Sequence, residues 1–265
     1  MPSSTRMPVG VSAQAAIVLA GDATFTIALA GQPNVGKSTV FNLLTGLSQH
    51  VGNWPGKTVE QKTGIYRHND TTLHLVDLPG TYSLTANSLE EVIARDYIIR
   101  ERPDVVVVVV NAASLERNLY LVAELLPVSN KLVIGLNMVD VAGGEGLQIE
   151  PQVLEAALGV PVVPMVATRN QGVRELMDAV VLLLHGELAY HPNVPEIRAD
   201  HSQVLLQIRE LVADFVPVPY PSTWIALKLL EGDAEITAMM RDKCLPADRW
   251  DRVHEILMDH EDAVL

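Results

Sequence analysis

The sequence carries one cysteine, Cys244, in 265 residues, so no intrachain disulfide can form, and a reducing compartment fits. Basic residues are also scarce. Nineteen Lys and Arg stand against 32 Asp and Glu, giving a net charge of -13 and a pI near 5.0. Phosphate backbones need a basic footprint, so this balance argues against a nucleic-acid or anionic-membrane surface as the main partner. It leaves room for phosphate at one local site. No apolar run reaches the length of a membrane span. His185, His191, His201, His254 and His260 share no tight metal-ligand spacing, so they read as surface residues and no zinc site is expected. What is present is an ordinary globular composition, 48% hydrophobic and 19% charged, enough for one large domain or one domain plus a smaller one.

The chemistry starts at Gly31-Gln32-Pro33-Asn34-Val35-Gly36-Lys37-Ser38, followed by Thr39. The pattern G-x-x-x-x-G-K-S is that of a phosphate-cradling loop. An apolar run of strand length, Thr24 to Ala30, precedes it. After it, Ser38 to Gly46 has helical spacing and a glycine stop. In such a loop successive backbone N–H groups make an anion nest backed by the positive end of a helix. Lys37 would reach the β- and γ-phosphates, and Ser38 would offer its hydroxyl to Mg²⁺. Residues 7–20 loosely imitate a signal peptide after Arg6, but Ser12 and Gln14 break the run, and a nucleotide site directly behind it would be useless outside the cell. Residues 1–22 therefore read as a flexible leader.

Leu47 to Glu60 is polar, with Gly52, Pro55 and Gly56, and reads as a mobile loop. Thr58 within it sits where a second Mg²⁺ ligand that senses the γ-phosphate would stand. Val59–His68 and Thr71–Asp77 flank an Asn69-Asp70 turn and read as a hairpin. The second strand ends in Asp77-Leu78-Pro79-Gly80. Asp77 is placed to hold Mg²⁺ through water, and Gly80 lets a backbone N–H approach the γ-phosphate. Ser88 to Arg100 reads as a helix with a capping box, Ser88 and Glu91. Val105 to Val110, six valines in a row, must be a strand buried on both faces. Ser114–Leu126 is a helix stopped by Pro127, and Lys131–Leu136 another buried strand.

That strand ends in Asn137-Met138-Val139-Asp140. A carboxylate there can accept two hydrogen bonds from the N1–H and exocyclic amine of guanine, an edge on which adenine presents the opposite pattern. Gly143-Gly144-Glu145-Gly146 reads as a flexible loop, Pro151–Leu158 as a helix, Val160–Met165 as the last strand, and Val173 to about His185 as a helix. Between them Val166-Ala167-Thr168 forms a strand exit where the Ala167 N–H could meet the guanine O6. Strands alternating with helices, each strand ending in a motif, imply a three-layer α/β fold with a mixed, mostly parallel sheet and its site at the carboxyl edge. After Tyr190 no strand signal remains. Asp200–Phe215, Pro221–Leu230, Asp233–Lys243 and Pro246–His260 read as amphipathic helices, with residues 216–221 an extended connector. Trp224 and Trp250 read as core anchors. The expected organisation is a nucleotide-binding domain over 23–188 and a small all-helical domain over 189–265.

Together G-Q-P-N-V-G-K-S, Thr58, D-L-P-G and N-M-V-D look like elements of a Ras-like P-loop GTPase. With V-G-N-W-P-G-K-T-V-E and D-L-P-G-T-Y-S-L added, the chain resembles the cytosolic N-terminal region of bacterial ferrous iron transport protein B, FeoB. The resemblance covers roughly residues 24–186, and the helical part matches in place and length. It implies a GTP/GDP switch with Mg²⁺ held by Ser38, Thr58 and Asp77, and a nucleotide also touching Gly56, Lys57, Thr58, Val59 and Glu60. Lys37, Asn34, Thr58 and Gly80 are the implied catalytic set. Asn34 matches an asparagine that coordinates K⁺ in many members, with backbone carbonyls near Gly52 and Trp54 completing that site. The resemblance further implies a transmembrane Fe²⁺ permease beyond Leu265, a helical spacer coupling nucleotide state to the pore, and a place on the cytoplasmic face of the bacterial cell membrane. Small cytosolic partner proteins and a homo-oligomer are the other implied partners.

Two departures from the general GTPase pattern stand out. Met138 replaces the usual lysine of N-K-x-D, as is common in FeoB, and implies weaker nucleotide binding. Thr81-Tyr82 stand where Ras-type enzymes carry a water-positioning glutamine, so slow hydrolysis is expected. The competing readings are an Era-type RNA-associated assembly GTPase, against which the charge of -13 weighs, and an interaction module whose nucleotide is only structural.

Overall fold

The computed structural model describes residues 23–86, 88–194 and 199–264. The leader expected over 1–22 lies outside the described residues. Seven strands form one sheet in the order β2-β3-β4-β1-β5-β6-β7. Their ranges are β1 Ala23–Gly31, β2 Gln49–Asn53, β3 Glu60–His68, β4 Thr71–Asp77, β5 Val105–Asn111, β6 Leu132–Asn137 and β7 Val162–Pro164. β4, β1, β5, β6 and β7 run parallel, while β3 pairs antiparallel with β4 and β2 antiparallel with β3. This is a Ras-like G-domain sheet, mixed and mostly parallel. The valine run behaves as its composition demands. Val105, Val107 and Val109 face one core layer, and Val106, Val108 and Val110 face the other.

Helix α1 (Lys37–Thr45) and helix α6 (Val173–Leu184) cover the first face. The second face is covered by α2 (Leu89–Asp96), α3 (Leu115–Leu125) and α5 (Pro151–Leu158). At the start of α2 the Ser88 side chain accepts from the Glu91 N–H, as the capping pattern requires. The Glu91 carboxylate lies against Ser83 instead. The helix then widens into a π-turn over Tyr97–Glu101.

Two expectations are corrected. Part of the supposed mobile loop, Gln49–Asn53, is strand β2, an edge strand held by its backbone ladder to β3 while four of its five residues are exposed. A strand without a buried face leaves no alternation to read. The Gly143-Gly144 stretch is partly helical, closing the short helix α4 (Val139–Gly144).

The regular elements of the C-terminal part are helices among its described residues, chief among them α7 Ala199–Val212, α8 Ser222–Leu230, α9 Ala234–Met239 and α10 Ala247–Val264. Trp224 is buried at its centre with Ile208, Ile225, Leu229 and Val253, and Trp250 packs at the edge. Ile99, from the π-turn after α2, belongs to the same cluster, so this layer is built onto the second face of the sheet. Among the described residues no helix is long and apolar enough to cross a membrane.

Charged groups complete that junction. Lys228 of α8, 1% exposed, donates to Glu124 of α3 at 2.6 Å, to Glu231 at 2.7 Å and to the Thr85 hydroxyl at 3.1 Å. Arg95 of α2 donates to Glu235 at 2.8 Å and lies 3.8 Å from Asp233, whose other contacts are the Ala86 N–H and the first turn of α9. Burial opposes the charge on Lys228, but Glu124 and Glu231 outweigh it and hold its pKa above the ordinary lysine value. Burial pushes the Glu124 carboxyl up more than Lys228 pulls it down.

Candidate nucleotide site

The loop between β1 and α1 has the conformation its glycines permit. Gly31 has φ 154°, and a Cβ there would lie 2.6 Å from the Val109 carbonyl oxygen of β5. Gly36 has φ 91°, and a Cβ would meet the Asn137 amide nitrogen at 2.3 Å. Only glycine fits either place. Above the loop is a cavity of about 610 Å³ lined by Gln32, Pro33, Asn34, Gly36, Lys37, Ser38, Thr39, Gly80 and Met138. That volume is in the range of small-molecule sites.

Lys37 and Asp77 are 8% and 9% exposed and pair directly beneath the cavity. A buried ammonium without phosphate needs such a partner, since an unpaired buried charge is costly. Leu78 and Thr81 dock on β1 through their N–H groups, and Gly80 sits against Pro33. The start of the D-L-P-G segment is thus already placed against the loop.

Asn137 has a role that its position in N-M-V-D did not reveal. Its side chain donates to the Val35 carbonyl at 2.9 Å and accepts from the Ala167 N–H at 2.9 Å. It therefore ties together three of the motifs found in the sequence. The Ala167 N–H, expected to meet a base, is here engaged by Asn137. Met138 has φ 62° and opens α4, on which Asp140 pairs with Arg169 at 3.5 Å. Arg169 follows Val166-Ala167-Thr168 and has no motif of its own in the sequence. Val139 donates its N–H to the Met165 carbonyl, so this corner is fixed by backbone bonds.

The segment carrying Gly52, Trp54, Gly56, Lys57, Thr58, Val59 and Glu60 does not line the cavity. Gly52 lies in β2 opposite Gln61. Trp54 is buried against Tyr97 of the π-turn, ring centroids 5.4 Å apart, and its indole N–H has no partner among the described residues. Its carbonyl accepts from the Lys57 N–H in a tight turn that leaves Thr58 exposed. The structure brings Lys37, Asp77, Gly80, Asn137 and Met138 together around the loop and leaves this ribbon apart.

Comparison with known proteins decides the family. Residues 25–180 match the family model of ferrous iron transport protein B, and residues 199–263 match that of the FeoB cytosolic helical domain. The chain belongs to the FeoB family. The Fe(2+) transporter FeoB of Escherichia coli (strain K12) is 42% identical over 215 residues, covering 78% of this chain and 27% of the relative. The Fe(2+) transport protein A/Fe(2+) transporter FeoB fusion protein of Porphyromonas gingivalis is 39% identical over 224 residues, covering 82% of this chain and 26% of the relative. The chain thus spans about a quarter of the length of the curated relatives it matches. Among solved structures, a GDP-bound mutant of S. thermophilus NFeoB superposes with a TM-score of 0.79 at 36% identity, covering 91% of each chain. The apo cytosolic domain of the T. maritima FeoB iron transporter gives 0.77 at 32% identity, covering 90% of this chain and 98% of that one. Fold and family agree with the resemblance carried by the motifs, and an Era-type assembly GTPase is not favoured.

Proposed function

We propose that residues 23–188 bind GTP and hydrolyse it slowly, and that residues 189–265 form a spacer relaying nucleotide state to a membrane-embedded Fe²⁺ pathway at the cytoplasmic face of the cell membrane. The observation that carries the reading is the Lys37–Asp77 pair under a cavity whose other wall carries Met138, two residues before Asp140. A triphosphate would draw Lys37 from Asp77 and free that carboxylate. Asp140 would exchange Arg169 for the guanine edge.

Hard oxygen donors suit Mg²⁺, and the exposed Ser38 hydroxyl together with the Asp77 carboxylate supply two of them beside the loop. Such a cation would neutralise charge on the transferring phosphate. Thr58 would join only after the 54–58 turn moves. Asn34 borders the cavity with φ 65° and would supply the side-chain ligand for K⁺, with Gly52 and Trp54 carbonyls joining after the same movement. That movement pulls Trp54 from Tyr97, which couples the switch to the helix leading into the helical layer. Lys37 and the Gly80 N–H would meet the γ-phosphate, and Thr81-Tyr82 in place of a water-positioning glutamine is in keeping with slow turnover. The partners would be the permease part of the same polypeptide and a small cytosolic protein. The Porphyromonas gingivalis relative is named as a fusion with Fe(2+) transport protein A. A homo-oligomer belongs to the same proposal.

GTP turnover in KCl against NaCl at equal ionic strength, with Asn34→Ala alongside, tests the reaction. Turnover stimulated by K⁺ and insensitive to K⁺ in the variant is expected. Equal rates in both salts would remove K⁺ from the mechanism, and no turnover in either would leave a binding switch.

A further inference from the structure

We infer that Arg117 is a positioning residue for the nucleotide reaction, acting through Tyr82; the inference rests on the GTP hydrolysis proposed above. Arg117 lies in the first turns of α3, outside every motif of the sequence, yet it touches both halves of the phosphate site. Its backbone carbonyl accepts from the Gln32 side chain at 2.8 Å, and Gln32 is the second residue of the phosphate loop and 5% exposed. Its guanidinium lies 4.5 Å from the centroid of the Tyr82 ring. Among the described residues no carboxylate pairs with Arg117, so the ring is the partner of its charge.

Tyr82 is the one exposed member of a buried run. Thr81, Ser83 and Leu84 are 3%, 8% and 1% exposed, whereas Tyr82 is 44% exposed. Thr81 is anchored by its N–H to the Gly31 carbonyl, and Leu84 by its N–H to Glu124. Between these anchors buried Ser83 donates to Glu91, and exposed Tyr82 meets the Arg117 guanidinium. Gly80, two residues before Tyr82, already abuts Pro33. The stacking therefore stabilises the docked arrangement of the segment, and its loss should slow the chemical step without weakening nucleotide capture. α3 also carries Glu124, which receives Lys228 from the helical layer. Arg117 thus sits on the element that joins the phosphate loop to that layer.

The test is a double-mutant cycle on the whole chain, with GTP turnover and mant-GDP binding as readouts. Arg117→Ala and Tyr82→Leu should each lower kcat about two- to fivefold, the range expected of one partly exposed cation–π contact. KM and GDP affinity should stay at the parent values. The double variant should be no slower than either single one. Arg117→Lys, which keeps the cation, and Tyr82→Phe, which keeps the ring, should restore most of the rate. Four results would overturn the inference: Arg117→Ala as fast as the parent, effects that add in the double variant, a loss borne by KM, or a loss of a hundredfold or more, which would place the guanidinium on the phosphate itself. If the parent chain turns over no GTP, the hydrolysis reading fails first and the inference with it; an active parent with an unchanged Arg117→Ala variant sinks the inference alone.

Discussion

Two buried lysine–carboxylate pairs of this molecule look alike and differ in what surrounds them. Lys37–Asp77 has one ion pair and borders a cavity of about 610 Å³. Lys228–Glu124 is saturated: Lys228 reaches Glu124, Glu231 and the Thr85 hydroxyl, and Glu124 also accepts from the Leu84 N–H. Breaking a pair from one side leaves an uncompensated charge, so a saturated pair away from any cavity acts as a strut. A singly paired charge facing open space can exchange its partner for a ligand at little cost. The comparison separates the part of the molecule that fixes the helical layer to the sheet from the part proposed to take a phosphate.

The largest effect should come from the strut. Lys228→Met leaves Glu124 buried beside Glu231 and should cost about 3–5 kcal/mol of folding stability in urea titrations, with GDP affinity unchanged. A loss below about 1 kcal/mol would break the distinction between the two pairs. Lys37→Met should do the reverse. Loss of a charge-assisted bond to phosphate should weaken GDP binding by about 1.5–3 kcal/mol, about 10- to 150-fold. Stability should change by less than about 1 kcal/mol, because water can enter a polar cavity of this size to meet Asp77.

Tyr97 sharpens the comparison on the side of Trp54. Burial, with help from Glu101, pushes its phenol up to about 12 from 10.0. A raised value means that the folded chain holds the proton longer than the unfolded chain. The stability from this group is therefore complete below pH 10 and lost as pH rises from 10 towards 12, at most about 2.7 kcal/mol. Tyr97→Phe should flatten that alkaline loss in unfolding curves recorded across this window, and an unchanged slope would assign it elsewhere. The smallest effect concerns the base. Arg169→Ala removes an exposed competitor for Asp140, and GDP should bind up to about fivefold tighter, the ceiling for a surface ion pair. Weaker binding would mean that Arg169 itself touches the nucleotide.

Much of the fold was legible because its signals are local. The glycine loop, the valine run and the Asn69-Asp70 turn each specify a conformation within a few residues, and each lies where the sequence placed it. Strand β2 was not legible, since its side chains face solvent and only its backbone ladder holds it. The Gly143-Gly144 pair concealed the end of α4, because a single turn of helix tolerates residues that a long one would not. Within the site, the motifs located Lys37, Asp77 and Asn137 but gave Asn137 no part in holding Val35 and Ala167, bonds spanning 102 and 30 residues of chain. Lys228, Glu124 and Thr85 likewise meet from 104 and 143 residues apart. Pairings of that kind depend on the packed fold and leave no periodicity behind.

In the proposed function Asp140 makes the site beside Lys37 selective for a guanine nucleotide. Equilibrium titration of the chain with mant-GDP and mant-ADP, repeated on Asp140→Asn, tests it most directly. Paired hydrogen bonds to the guanine edge predict that GDP binds at least about a thousandfold more tightly than ADP, with that preference largely lost in the variant. Comparable affinities for the two nucleotides, or a preference that survives Asp140→Asn, would exclude Asp140 as the group that reads the base.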